Sequence, residues 1–141
     1  MKRMNTPAKQ NNIRVVLYWI ATGFVTAELF LGGTWDILQI PLVSKIFAHL
    51  GYPSYCLIIL GIWKVLGGVA LLVPRYPRVK EWAYAGVIFN YTGAIASFLA
   101  VGGGFSDIFY PIIQICLAIV SWALRPSSRS NLTSKNDLLR I

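Results

Sequence analysis

Six side chains able to do chemistry stand inside or beside long apolar runs of this 141-residue chain: Glu28, Lys64, Asn90, Asp107, Tyr110 and Gln114. Three of them are charged. A charge within an apolar run is costly in a low-dielectric surrounding, so it needs an opposite charge, a hydrogen-bonding neighbour or a polar ligand. The spacings place these groups on common faces. Asp107, Tyr110, Gln114 and Ser121 are separated by three, four and seven residues, which is one stripe of a helix. Gly86, Asn90, Gly93 and Ser97 make a second stripe of small or polar residues, and Gly61, Lys64 and Gly68 a third. Glu28 follows Thr22 and Thr26 on a fourth segment.

Two kinds of chemistry fit this pattern. In the first, the polar groups only hold helix to helix, each contact contributing about 0.6 kcal/mol in lipid, with Glu28 and Lys64 as an ion pair. The alternative partner for Lys64 is Asp107 or the anionic group of a ligand. In the second, the groups line a cavity that holds a small amphipathic molecule, lipid-like or quinone-like. Glu28, Lys64, Asn90, Asp107, Tyr110 and Gln114 are the ligand-binding candidates for that reading. No nucleophile stands beside a base, and neither a metal-ligand cluster nor a phosphate loop is evident, so the sequence leans away from an enzyme and assigns no catalytic residue. His49 is the single histidine, without evident metal-ligand partners, and reads as a polar residue at a lipid interface. Cys56 and Cys116 lack a C-x-x-C pattern and read as small core hydrophobes, too far apart to bond.

The elements that must carry these residues are membrane spans. Apolar residues are 56% of the chain and charged residues 13%, where a soluble domain carries about 25% charge; the mean hydropathy is +0.60. Four segments reach the roughly 20 apolar residues that a spanning helix needs: about 13–33, 54–73, 81–101 and 105–124. Pro74, Gly102 to Gly104 and Arg125-Pro126 end the last three. The first could serve as a secretory signal, but its apolar run is too long and no A-x-A site follows, so it reads as a retained span. The connection 34–53 is too long for a tight turn and too apolar for a free loop. Leu42, Val43, Ile46, Phe47 and Leu50 recur at helical spacing between Pro41 and Gly51, which predicts a short amphipathic helix at one end of the bundle. Asp36 is expected at the interface.

Orientation follows from the basic residues. Four lie in the N-terminal tail (Lys2, Arg3, Lys9, Arg14), three in the second connection (Arg75, Arg78, Lys80) and four after the last span (Arg125, Arg129, Lys135, Arg140), whereas the first connection holds Lys45 and the third none. Both termini are therefore expected on the cytoplasmic side of an inner membrane, with Trp19, Trp82 and Trp122 toward that side and Trp35, Tyr52, Tyr55 and Tyr110 toward the other. The net charge of +8 flanks apolar runs and so does not indicate nucleic acid. The expected organisation is a cytoplasmic tail at 1–12, an all-α antiparallel four-helix transmembrane domain at 13–125, and a polar, mobile cytoplasmic tail at 126–141. The Asn131-Leu132-Thr133 sequon in that tail is a chance match. Expected partners are the bilayer and either other membrane subunits or further copies of the chain.

One further feature is the order of short motifs. L-G-Y-P (Leu50 to Pro53), G-I-W-K-V-L-G-G-V-A-L-L-V-P (Gly61 to Pro74), K-E-W-A-Y-A-G (Lys80 to Gly86) and Y-T-G-A-I-A-S (Tyr91 to Ser97) together resemble the DoxX-like family over about residues 13–125. The resemblance implies a small, mostly bacterial, four-helix membrane protein. Relatives have been linked to quinone-coupled sulfur oxidation, redox stress complexes and chaperoning of membrane proteins, so an accessory or assembly subunit is the second functional expectation. Two positions depart from the family pattern. Lys64 stands where an acidic residue is common, and Glu28 precedes Leu-Phe-Leu-Gly-Gly where a G-x-x-K-L-like run often ends the first span. Exchanged charges would keep the pair with reversed sign. No redox cysteines match, so no oxidoreductase role is carried over.

Overall fold

The computed structural model describes residues 7–126, with side chains from residue 10 onward. Five helices follow in order: α1 Pro7–Ile37, α2 Pro41–His49, α3 Tyr55–Leu72, α4 Pro77–Ala100 and α5 Phe105–Ala123. The four long ones are each apolar enough to cross a bilayer, and they form the expected antiparallel bundle. The chain is a multi-pass membrane protein by this architecture. The tail from 127 onward, with its sequon, lies outside the described residues.

Local sequence explains where the helices stop. Pro41 occupies the first turn of α2, where its missing N–H would be unpaired in any helix. Gly51 follows α2 with φ +80 and Gly102 follows α4 with φ +78. Each supplies the left-handed residue of a Schellman closure: Tyr52 N–H donates to Phe47 O at 2.9 Å, and Gly103 N–H to Phe98 O at 2.8 Å. At the start of α5, Gly104 N–H donates to Asp107 Oδ2 at 2.9 Å. The first helix is longer than the expected span at both ends, because nothing breaks it between Gly33 and Ile37.

Going round the bundle, the neighbours are α1, α3, α4 and α5, with α1 packed most extensively on α3 and the thinnest seam between α3 and α4. Val25, Leu29, Leu71, Tyr84, Val87, Tyr91 and Ala118 form the core. Large apolar side chains such as Phe24, Leu31, Trp63, Trp82 and Phe89 point outward, as a lipid-facing surface requires. Cys56 is half-buried and Cys116 is exposed, and both are free thiols, so Cys116 faces outward rather than packing in the core.

The small-residue stripes divide into two kinds. On α3, Gly61 meets α1 at close quarters: a Cβ there would fall 2.6 Å from Gly33 O and 2.7 Å from Ile37 Cγ1. This is a close backbone crossing of the kind that small residues permit in lipid. On α4, by contrast, a Cβ added at Gly86 or Gly93 would meet nothing within 4 Å. These two glycines do not mediate close packing; they widen the α3–α4 seam.

Candidate functional site

The Gly33–Gly61 crossing sets the site. It draws α3 against α1 so that Lys64 lies between two carboxylates of α1. Lys64 Nζ is 2.9 Å from Asp36 Oδ2 and 3.9 Å from Glu28 Oε1, and all three side chains are largely buried. Glu28, Gly32 and Asp36 are spaced by four, so the two carboxylates flank a glycine on one face. A Cβ at Gly32 would fall 2.7 Å from Glu28 Oε1 and 3.5 Å from Lys64 Nζ; the absent side chain is the space the ion pair occupies.

The expected Glu28–Lys64 pair is therefore present but is the longer of two. The nearer partner is Asp36, which is 3% exposed. Asp36 was not among the site candidates because Gly32-Gly33 looked like the end of the span, whereas the helix runs a further turn to Ile37. The four-residue spacing from Glu28 was the available signal. Lys64 does not face Asp107, whose carboxylate is engaged by the Gly104 amide at the start of α5.

Above the triad, at the α2 end of the bundle, lies a cavity of about 740 Å³. Val43, Ile46, Phe47 and Leu50, the apolar face of α2, form one wall, and Phe89, Phe98 and Leu60 line others. Its polar lining includes Asp36, Lys64, Asn90, Tyr91, Asp107 and Tyr110. Four of the six sequence candidates thus share one cavity: Lys64, Asn90, Asp107 and Tyr110. Glu28 and Gln114 stand just behind it, within reach of the Tyr91–Tyr110 pair. The rings of Tyr91 and Tyr110 meet edge to face with centroids 6.4 Å apart. Tyr52, expected in an aromatic belt, bonds Ser97 Oγ at 2.8 Å and so ties the α2–α3 connection to α4.

Tyr91 was not a sequence candidate, although it adjoins Asn90. It is 4% exposed and joins a buried polar group behind the cavity, in which its hydroxyl interacts with Glu28 and Tyr110, and Tyr110 with Gln114.

A second groove of about 570 Å³ continues down the α3–α4 seam past Gly67, Ala70, Ala83 and Gly86, and it shares Leu60, Lys64, Phe89 and Asn90 with the cavity. Gly67 and Ala70 line this groove, and Ala94 lines the cavity.

The other half of the bundle is held by paired groups. Ser121 Oγ lies 2.6 Å from Thr22 Oγ1 and 2.7 Å from the Tyr84 hydroxyl, so three helices share one buried hydrogen-bonded node. Arg125 pairs with Glu81 and stacks over Tyr84 and Trp122. Trp122 Nε1 also donates to Glu81 at 2.9 Å. Among the described residues no group of three His, Cys, Asp or Glu is placed to hold a metal.

A helical membrane bundle whose intramembrane charges gather under a capped cavity at one end is the class that fold and site define. Within that class the chain belongs to the DoxX-like family, whose model matches residues 20–121. No curated protein and no solved structure matches it.

Proposed function

We propose that this DoxX-like protein is a non-enzymatic bacterial inner-membrane protein that binds a small lipid-like or quinone-like molecule in the cavity beneath α2. The observation that carries this reading is the cavity itself. Its volume lies in the range of small-molecule sites, and it joins apolar walls to a few convergent polar groups. Lys64, Asn90, Asp107 and Tyr110 would meet the head of such a molecule, with Glu28 and Gln114 behind them. Residues 13–125 would form the binding unit. The basic residues support cytoplasmic termini, with the cavity opening toward the opposite face of the membrane.

Native mass spectrometry of protein released from membranes in mild detergent tests this. The expected result is a retained adduct of a few hundred daltons that disappears in Ala94→Trp, which fills the cavity. Protein without an adduct, or an adduct indifferent to Ala94→Trp, would overturn it.

The second reading is an accessory or assembly subunit of a larger membrane complex. It draws support from the α3–α4 groove, where Gly67, Ala70 and Gly86 leave room for close approach of another helix. Recovery of the chain alone and monodisperse after purification in mild detergent would count against it; a stoichiometric companion would favour it.

A further inference from the structure

We propose that the molecule bound under α2 is a single-chain amphiphile that enters sideways from the bilayer between α3 and α4 and leaves its alkyl or isoprenoid tail in the groove of that seam. This rests on the cavity being a binding site, and adds the shape of its occupant and the route by which it arrives.

The seam is open where such a route needs it. α3 packs chiefly on α1 and α4 chiefly on α5, so each of the two helices is held mainly by another partner. They are tied to each other at the two ends of the seam. At one end Lys80 Nζ donates to Ala70 O and Leu71 O; at the other Tyr52 bonds Ser97. Between these ties a Cβ at Gly86 would meet nothing within 4 Å, and one at Gly67 would meet only Leu29 Cδ1, at 3.9 Å. Leu60, Lys64, Phe89 and Asn90 line both the groove and the cavity, so the two spaces join at that level.

Polarity changes along the path. Away from the junction the groove is lined by apolar residues and glycine, with the buried Leu29 and Val87 beneath and the largely exposed Trp63, Trp82 and Phe89 beside it. From Asn90 to Val79 it follows α4 for about 16 Å at 1.5 Å per residue, roughly half the hydrocarbon thickness of a bilayer. An extended tail suits this slot better than a helix does. Packed helix axes lie about 8–10 Å apart, and the exposed aromatic rings stand in the way of that approach.

Asn90 separates a specific amphiphile from bulk lipid. It is half-buried near the middle of α4, and its side chain makes no hydrogen bond among the described residues. An amide side chain offers two donors and an acceptor, and the bilayer core has no water to meet them. A lipid tail alone in the groove would leave that amide unpaired. A molecule with a polar group at the junction and a tail along the seam pairs the amide and fills the groove together.

Capture in place tests the route. p-Benzoylphenylalanine replaces Trp82 in the full-length protein, cells are illuminated, and the mass of the purified product is read with and without Ala94→Trp. The expected product is one dominant adduct of a few hundred daltons that falls at least tenfold in Ala94→Trp, because the head in the cavity holds the tail in the groove. Gly86→Leu fills the groove without touching the cavity lining. It should lower, at least tenfold, the adduct that the chain without the photoreactive residue retains in native mass spectrometry. Gly67→Leu fills the groove from the other wall if Gly86→Leu fails to fold. Membrane phospholipids captured equally with and without Ala94→Trp would make the groove ordinary lipid-facing surface, and capture of a protein would make it a helix-docking site. Either result overturns the inference, as does no capture at all. An adduct on the unaltered chain that Ala94→Trp removes and the groove variants do not would sink the route and leave the cavity reading intact. No adduct on the unaltered chain would sink both.

Discussion

Lys64 Nζ and Asp36 Oδ2 stand 2.9 Å apart, with the Asp36 side chain 4% exposed. Glu28 reaches the same ammonium at 3.9 Å. This asymmetry predicts an order of mutational cost. Lys64→Met leaves two carboxylates facing each other without a cation, and breaking a buried pair in this way costs about 3–5 kcal/mol. Asp36→Asn should cost less, because Glu28 still balances Lys64. Glu28→Gln should cost least, because the shorter contact survives. Thermal unfolding in detergent reads this order. Lys64→Met combined with Asp36→Asn should recover more stability than Lys64→Met combined with Glu28→Gln. Strict additivity in both pairs would mean that the charges do not interact.

Much of this was legible in the sequence because lipid imposes simple rules. Four apolar runs must be helices, and Pro41 and Gly51 fixed α2 to within a residue. The clustering of Lys64, Asn90, Asp107 and Tyr110 followed from the polar stripes of α3, α4 and α5 meeting at one cavity. What could not be read was depth and closeness. The span looked complete at Gly33 because helix ends are set by caps, yet no cap stands between Gly33 and Ile37, and the extra turn brings Asp36 beside Lys64. Gly86 and Gly93 have the same spacing as a packing motif, yet they border empty space. Spacing assigns a residue to a face; it does not say whether the neighbouring helix comes near.

That distinction yields a second prediction. A methyl group at Gly61 would lie 2.6 Å from the Gly33 carbonyl oxygen and 2.9 Å from the Ile37 amide nitrogen, both backbone atoms with no freedom to turn away. Gly61→Ala should therefore force α1 and α3 apart and destabilise the bundle by about 1–3 kcal/mol, the usual cost of overpacking. Gly93→Ala meets nothing within 4 Å and should be neutral or stabilising by up to about 1 kcal/mol through helix propensity. Detergent-melt comparisons of the two variants check this; equal losses would show that the crossing is looser than described.

The orientation prediction is read by labelling. In a background of Cys56→Ser and Cys116→Ala, a cysteine placed at Ser44 on α2 should react with an impermeant maleimide in intact cells. One placed at Arg78 should react only after the membrane is opened. Reaction at position 78 from outside would reverse the orientation and put the cavity on the cytoplasmic side.

Lys80 separates orientation from stability. It belongs to the eleven basic residues that support the cytoplasmic assignment, yet it is 1% exposed. Its ammonium donates to Leu71 O at 2.5 Å and to Ala70 O at 3.2 Å. These carbonyls lie in the last turn of α3, where no further helical N–H follows. The residue four beyond Ala70 is Pro74, which has no N–H to give. Lys80 thus supplies a donor that the chain itself cannot, from the first turn of α4, a place where a cation would otherwise be disfavoured by the helix dipole. Lys80→Met should destabilise the bundle by about 1.5–3 kcal/mol, the range for hydrogen bonds to a charged group. It should also raise amide exchange in the turn between α3 and α4. Orientation should not change, because ten basic residues remain on that side against Lys45 on the other. A variant that keeps its full stability would remove Lys80 from the α3 terminus; one that inverts its labelling pattern would make it a topology determinant instead.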